Sequence, residues 1–156
     1  MSPGVYQVVP HLGGALVTRS IQTEQTDVLA NGLTVIESGK IQLEIVVARD
    51  AGHLSGIVLD SEEKPVAGST VVLVPEPRLR SRSGLFRSCE TDQNGYYEIQ
   101  NVPPGKYSLL AWEDVEPGIW WDPAFLKDYE QKGEALTLKP SARESVKLHL
   151  TSLLQR

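Results

Sequence analysis

A single cysteine, Cys89, leaves no partner for an internal disulfide, so the redox compartment cannot be read from it. Basic residues are outnumbered, 15 against 20 acidic ones, and the net charge of −5 argues against a nucleic-acid partner, which needs a positive face. No apolar run approaches the ~20 residues of a membrane span. The opening "MSPGVYQVV" has neither a charged leader nor an apolar core, so it does not read as a secretory signal. That leaves either a cytosolic protein or a piece of a longer exported chain.

Catalytic groups are equally sparse. The three histidines, His11, His53 and His149, never fall within four positions of each other, so no metal cluster is visible. A G-x-S-x-G nucleophile elbow is lacking. Cys89 sits mid-strand before a hairpin and reads as a small core residue or an ordinary thiol, not a nucleophile. Asp92 and Asn94 stand close together, but the spaced run of oxygen ligands that holds calcium is not there. No catalytic residue, metal or cofactor is therefore expected.

What the chain does have is a regular series of short strands. The 156 residues suit one domain, or one domain with part of another, and 40% apolar content is enough for one core. Strands are expected at 53–60, 69–77, 86–91, 96–102, 106–114, 134–139 and 144–152, separated by Pro, Gly, Asn and Asp. Asn94-Gly95 is a strong hairpin turn. In the last stretch Val146, Leu148 and Leu150 alternate with Lys147 and His149, giving one buried and one wet face. Seven such strands predict an antiparallel β-sandwich.

An internal repeat is also present. "LTVIESGKIQLEIVV" (33–47) aligns without gaps on "LTLKPSARESVKLHL" (136–150), bringing Ser38 to Ser141 and Leu43, Ile45 and Val47 to Val146, Leu148 and Leu150. Upstream, residues 4–17 align on 95–110 if two residues are skipped. On this reading residues 1–49 are the last strands of a preceding module, and residues 50–152 are a whole module. An incomplete module would expose Leu16, Leu33, Val35, Leu43, Ile45 and Val47, and a homodimer through residues 1–49 is the expected remedy.

Residues 53 to about 151 resemble the carboxypeptidase regulatory-like domain. The motif is carried by Gly56, Val58, Asp60, Pro65 and Val66, then Thr91, Asp92, Gly95 and Tyr97, then Pro103, Pro104, Gly105 and Tyr107. The resemblance implies a prealbumin-like, seven-stranded Greek-key sandwich without chemistry of its own. It further implies a tandem module of a larger bacterial envelope or secreted protein, in contact with neighbouring domains. The Lys–Asn crosslink of related Cna-B modules is not expected, because strand 53–60 has no Lys and strand 144–152 no Asn.

Two stretches could bind something. "PRLRSRSGLFR" (77–87) alternates Arg78, Arg80 and Arg82, which an extended loop would set on one side as a fork for carboxylates. "GIWWDPAFLKDYE" (118–130) places two tryptophans before a short helix at about 122–132, with Asp122 as N-cap, Pro123 at the first position and Gly133 as the stop. Phe125 and Tyr129 share a face at i and i+4. So short a helix must dock. The expectation is a flap closing one end or edge of the sandwich, with at least one tryptophan anchored beside Phe125 and Tyr129. The competing reading is a glycan-stacking platform of Trp112, Trp120 and Trp121. Together these point to a non-enzymatic structural or interaction module, with carbohydrate binding as the alternative.

Overall fold

The computed structural model describes residues 2–13, 16–37, 39–80 and 85–153. The first half holds β1 (Gly4–Tyr6), β2 (Val17–Gln22), helix α1 (Val28–Asn31), β3 (Leu33–Val35) and β4 (Glu44–Ala48). The second half holds β5 (Gly52–Leu59), β6 (Thr70–Pro75), β7 (Arg87–Glu90), β8 (Tyr96–Val102) and β9 (Gly105–Trp112). Helix α2 (Pro123–Lys127), β10 (Glu134–Leu138), β11 (Arg143–Ser145) and β12 (Leu148–His149) complete it.

The second half is a β-sandwich. One sheet has the order β10-β9-β6-β7 with every neighbour antiparallel. The other has β5 at its centre, β8 antiparallel on it, and β11 then β12 parallel to it. The expected all-antiparallel arrangement therefore fails at the last strand, which is also split in two. The break falls where the chains come closest. Val146 N donates to Ser55 O at 2.9 Å, and Val146 O accepts from Tyr97 Oη at 2.7 Å. Any side chain at Gly56 would collide with that same carbonyl oxygen, so glycine is required there.

Between the sheets lies one apolar cluster. It joins Leu54 and Val58 of β5, Tyr97 and Ile99 of β8, Val71 and Leu73 of β6, Leu109 and Ala111 of β9, and Leu138 and Leu148. Cys89 packs against it half-buried, and burial pushes its thiol pKa up. The hairpin before β8 is locked by polar groups. Asp92 Oδ1 accepts from Asn94 N at 2.8 Å and Tyr96 N at 3.0 Å, and Gly95 takes a positive φ of 79°. Buried Thr91 accepts from Ser69 N at 2.9 Å and donates to Val66 O at 2.6 Å, tying this turn to the one before β6.

A second cluster lies on the outer face of the β6–β9 sheet. Val72, Val74, Leu110 and Trp112 point away from the sandwich core yet are buried beneath Trp120, Phe125, Leu126 and Tyr129. Strands buried on both faces read as continuous apolar runs, as "VVLV" does at 71–74. The flap expected at an end or edge is thus a third layer over a sheet face. Its helix is also shorter than expected. A 3-10 turn spans Ile119–Trp121, and Asp122 caps α2 by accepting from Ala124 N at 2.9 Å. Helix geometry ends at Lys127 instead of running to Gly133. The chain tightens there through Tyr129 N to Leu126 O at 2.9 Å, which turns the Tyr129 ring inward.

The first half repeats a piece of the second. In β1–β3, Gly4, Val5 and Tyr6 stand opposite Val35, Thr34 and Leu33. In β9–β10, Gly105, Lys106 and Tyr107 stand opposite Leu138, Thr137 and Leu136. Tyr6 Oη donates to Ser2 O at 2.6 Å, and Tyr107 Oη donates to Pro103 O at 2.6 Å. An aspartate-capped helix lies in both crossovers, since Asp27 Oδ1 accepts from Leu29 N and Ala30 N. Leu33–Val35 thus keeps its sequence register with 136–138 in space. The later part of the alignment does not carry the same pairing, because β4 runs antiparallel to β2 while β11 and β12 run parallel to β5, and Ser38 lies outside the described residues. The upstream alignment does not hold either. Ser2–Tyr6 superposes in pattern on Pro103–Tyr107, and residues 4–17 do not follow 95–110. The inserted strand β2 pairs antiparallel with β4.

Candidate functional site

The tryptophans divide between core and surface. Trp112 is fully buried, and its ring meets Phe125 at 5.7 Å and Tyr129 edge-on at 5.5 Å. Trp120 is 6% exposed and belongs to the same cluster. Trp121 is 56% exposed and touches Trp120 at 6.2 Å between centroids. A platform of Trp112, Trp120 and Trp121 therefore does not exist. Adjacent residues of a 3-10 turn point apart, so burying Trp120 turns Trp121 outward. Phe125 and Tyr129 do meet, at 4.8 Å, and Lys132 Nζ lies 5.5 Å over the Tyr129 ring.

The arginine loop is not extended at its start. Pro77–Leu79 is a 3-10 turn and Arg80 continues in helical geometry, so alternation no longer places side chains on one side. Arg78 pairs with Glu76. Arg80 pairs with Glu130 and donates from Nε to Pro75 O at 3.1 Å. Both guanidiniums are engaged within the fold, and Arg80 ties the loop to the flap. Arg82 lies outside the described residues.

Two clefts were not foreseen. The first, of about 410 Å³, opens beside the start of β5. His53, Glu98, Gln100 and Arg143 stand on the outward positions of β5, β8 and β11, where Asn101 and Ser141 also contribute. His53 Nε2 meets Glu98 Oε1 at 2.7 Å, and Gln100 Nε2 donates to the same oxygen at 2.6 Å. The Gln100 amide foremost, then His53, holds the Glu98 carboxyl below its ordinary value. Asn101 and Ser141 both have positive φ, 58° and 57°. The cleft can offer hydrogen bonds to a polar molecule. Sequence spacing could not reveal it, because its side chains come from three strands far apart in the chain. Their outward parity was the only signal.

The second cleft, about 480 Å³, lies where the halves meet. Val5, Val9, Val17 and Val28 line it from the first half, and Leu85, Arg87, Asn101 and Pro103 from the second. Arg19 pairs with Asp50. His149 meets Glu63 at 2.9 Å on an exposed surface. Among the described residues no three His, Cys, Asp or Glu side chains are grouped to hold a metal ion. None of the described helices is long and apolar enough to cross a membrane, which leaves membrane β-barrels unaddressed.

Residues 53–115 match the family of the carboxypeptidase regulatory-like domain. No curated protein matches the chain. Three solved structures illustrate the likeness. The Bacillus anthracis TIE protein is 14% identical, with 70% of this chain and 20% of that one covered at a TM-score of 0.43. A candidate carbohydrate-binding protein of Pseudomonas aeruginosa is 16% identical over 64% of this chain and 88% of that one, TM-score 0.43. The minor pilin of Streptococcus agalactiae is 17% identical over 80% of this chain and 62% of that one, TM-score 0.41. The chain thus spans a fifth of the first of these proteins and under two thirds of the third.

Proposed function

We propose that this chain, whose residues 53–115 carry the carboxypeptidase regulatory-like match, is a non-enzymatic structural or interaction module of a larger exported bacterial protein. One observation carries the choice against sugar stacking. Trp112 and Trp120 are consumed in holding the third layer onto the β6–β9 sheet, where each removes roughly 150–250 Å² from water. Aromatics that glycans stack on must stand free. The motif residues serve the fold in the same way. Thr91, Asp92 and Gly95 hold a turn, Gly56 admits Val146, and Tyr97 and Tyr107 bond to backbone oxygens. The export part of the proposal rests on the family resemblance.

The carbohydrate reading keeps one foothold, the exposed indole of Trp121. A glycan array, read together with tryptophan fluorescence, decides between the two. The scaffold reading expects no saturable glycan signal. A sugar that binds wild type and is lost in Trp121→Ala would replace it. Hydrolase, oxidoreductase and peptidase screens should stay at background. A turnover abolished by one polar substitution, for example His53→Ala, would show an enzyme. Fractionation of cells making the whole parent protein tests export, and a purely cytosolic signal would contradict it.

A further inference from the structure

We infer that the free edge of β4 is a docking site for an extended polypeptide strand with the pattern of β5, apolar at alternating positions. The inference deepens the interaction-module reading and rests on it.

In the alignment of 33–47 on 136–150, Ile45 and Val47 match Leu148 and Leu150. In the second half those places are covered. Leu148 is 2% exposed and stands opposite Val58 of the parallel strand β5, and Leu150 N donates to Leu59 O at 2.9 Å. In the first half Ile45 is 43% exposed and Val47 is 41% exposed. β2 and β4 make a two-stranded sheet, so among the described residues β4 has one ladder partner and a second edge without one.

The exposure of Val46, 43%, tells how a partner must approach. Successive strand residues point to opposite faces. A partner lying on one face would cover Ile45 and Val47, or Val46, but not all three. A strand added along the edge covers the flank of all three and supplies the ladder bonds as well. Open edges in folded proteins are blunted by charge, proline, bulges or shortness; β4 is five residues long and starts on Glu44, but its interior "IVV" carries no charge. Of the six residues expected to be exposed, Val35 is buried, Leu16, Leu33 and Leu43 are half-buried, and Ile45 and Val47 remain open; Ile36, Val5 and Val9, outside β4, are also exposed, and β4 is where three consecutive open apolar residues share one strand.

The probe is a fluorescein-labelled peptide copying residues 51–60, "AGHLSGIVLD", titrated into the whole chain and followed by anisotropy. Two controls accompany it. One is a scrambled peptide, and the other carries N-methyl groups at alternate residues, which blocks one row of backbone donors and leaves the side chains intact. Saturable one-to-one binding, weakened at least tenfold by either control and by Val46→Lys in the protein, is the expected result. Circular dichroism and tryptophan emission of the variant establish that the sandwich is still folded. Equal binding of all three peptides, or none up to the solubility limit, overturns the inference and leaves the non-enzymatic reading standing. So does a light-scattering mass of twice the monomer that Val46→Lys restores to one, because the occupant is then a second copy.

Discussion

Leu148 and Ile45 sit at matching positions of one repeated motif, and one is sealed in a core while the other meets solvent. The local chemistry does not account for this. Both halves have the glycine–tyrosine strand start, the tyrosine hydroxyl bonded four residues back, the aspartate-capped helix and the antiparallel closing strand. What differs is the company. The second half sets β5, β6 and β8 against its closing strands, and the described part of the first half offers only β2. Local motif and burial are thus separable. The turn and cap residues write the motif, and the facing sheet decides what is covered.

The largest expected effect tests the third layer, which among the described residues belongs to the second half. Trp120→Ala or Phe125→Ala should cost about 3–5 kcal/mol in urea unfolding. Trp121→Ala, although adjacent, should cost below about 1 kcal/mol. Equal losses for the two tryptophans would mean that the flap does not discriminate between them. Next comes the matched pair of the opening comparison. Leu148→Ala should lose about 2–5 kcal/mol, and Ile45→Ala under about 1 kcal/mol. Comparable values would erase the difference between the halves.

The caps should behave alike in both halves. Asp27→Ala and Asp122→Ala each remove a side-chain acceptor from a helix start and should cost ~1 kcal/mol. Thermal melts of the two variants measure this directly. The smallest effect is electrostatic. Backbone N–H of Lys64 foremost, with that of Glu62, holds the Asp60 carboxyl below its ordinary 3.8, and Gln100 with His53 holds Glu98 below its ordinary 4.5. The native state therefore takes up these protons less readily than the unfolded chain. The stability they contribute is present above the ordinary values and is lost as pH falls through the lower native ones. Tm should drop between pH 5 and pH 3, and the double variant Asp60→Asn, Glu98→Gln should flatten that drop. Both groups are open to solvent, so added salt should shrink the effect.

Strand positions in the second half were legible because alternation and turn residues agree. β8 at Tyr96–Val102 falls where "YYEIQNV" does, and Asn94-Gly95 marks the turn before it. The splitting of the last strand was not legible, because it arises where Val146 passes Gly56, a contact between residues distant in the chain. The third layer left a mark in the sequence. "VVLV" does not alternate, and a strand that fails to alternate is buried on both sides. Trp120 and Trp121 left the platform standing as the competing reading beside the flap, because an aromatic pair reads alike whether it caps a sheet or faces water. Arginine alternation misled because Pro77 starts a 3-10 turn in which period two has no meaning. The polar cleft at His53, Glu98 and Arg143 escaped because its members share a sheet face and no stretch of sequence.

Residue-resolved amide hydrogen exchange of the whole chain tests most directly that a sealed sandwich stands beside strand pairs left open. Protection in β6 and β9, buried on both faces, should reach the global unfolding limit, and the Leu148–Leu150 stretch should lie near it. Amides of Ile45, Val46 and Val47 should exchange on the order of a hundredfold faster, through local opening of the β2–β4 pair. Equal protection at Ile45 and at Leu148 would contradict the account, since two strands that share a motif would then share their burial too.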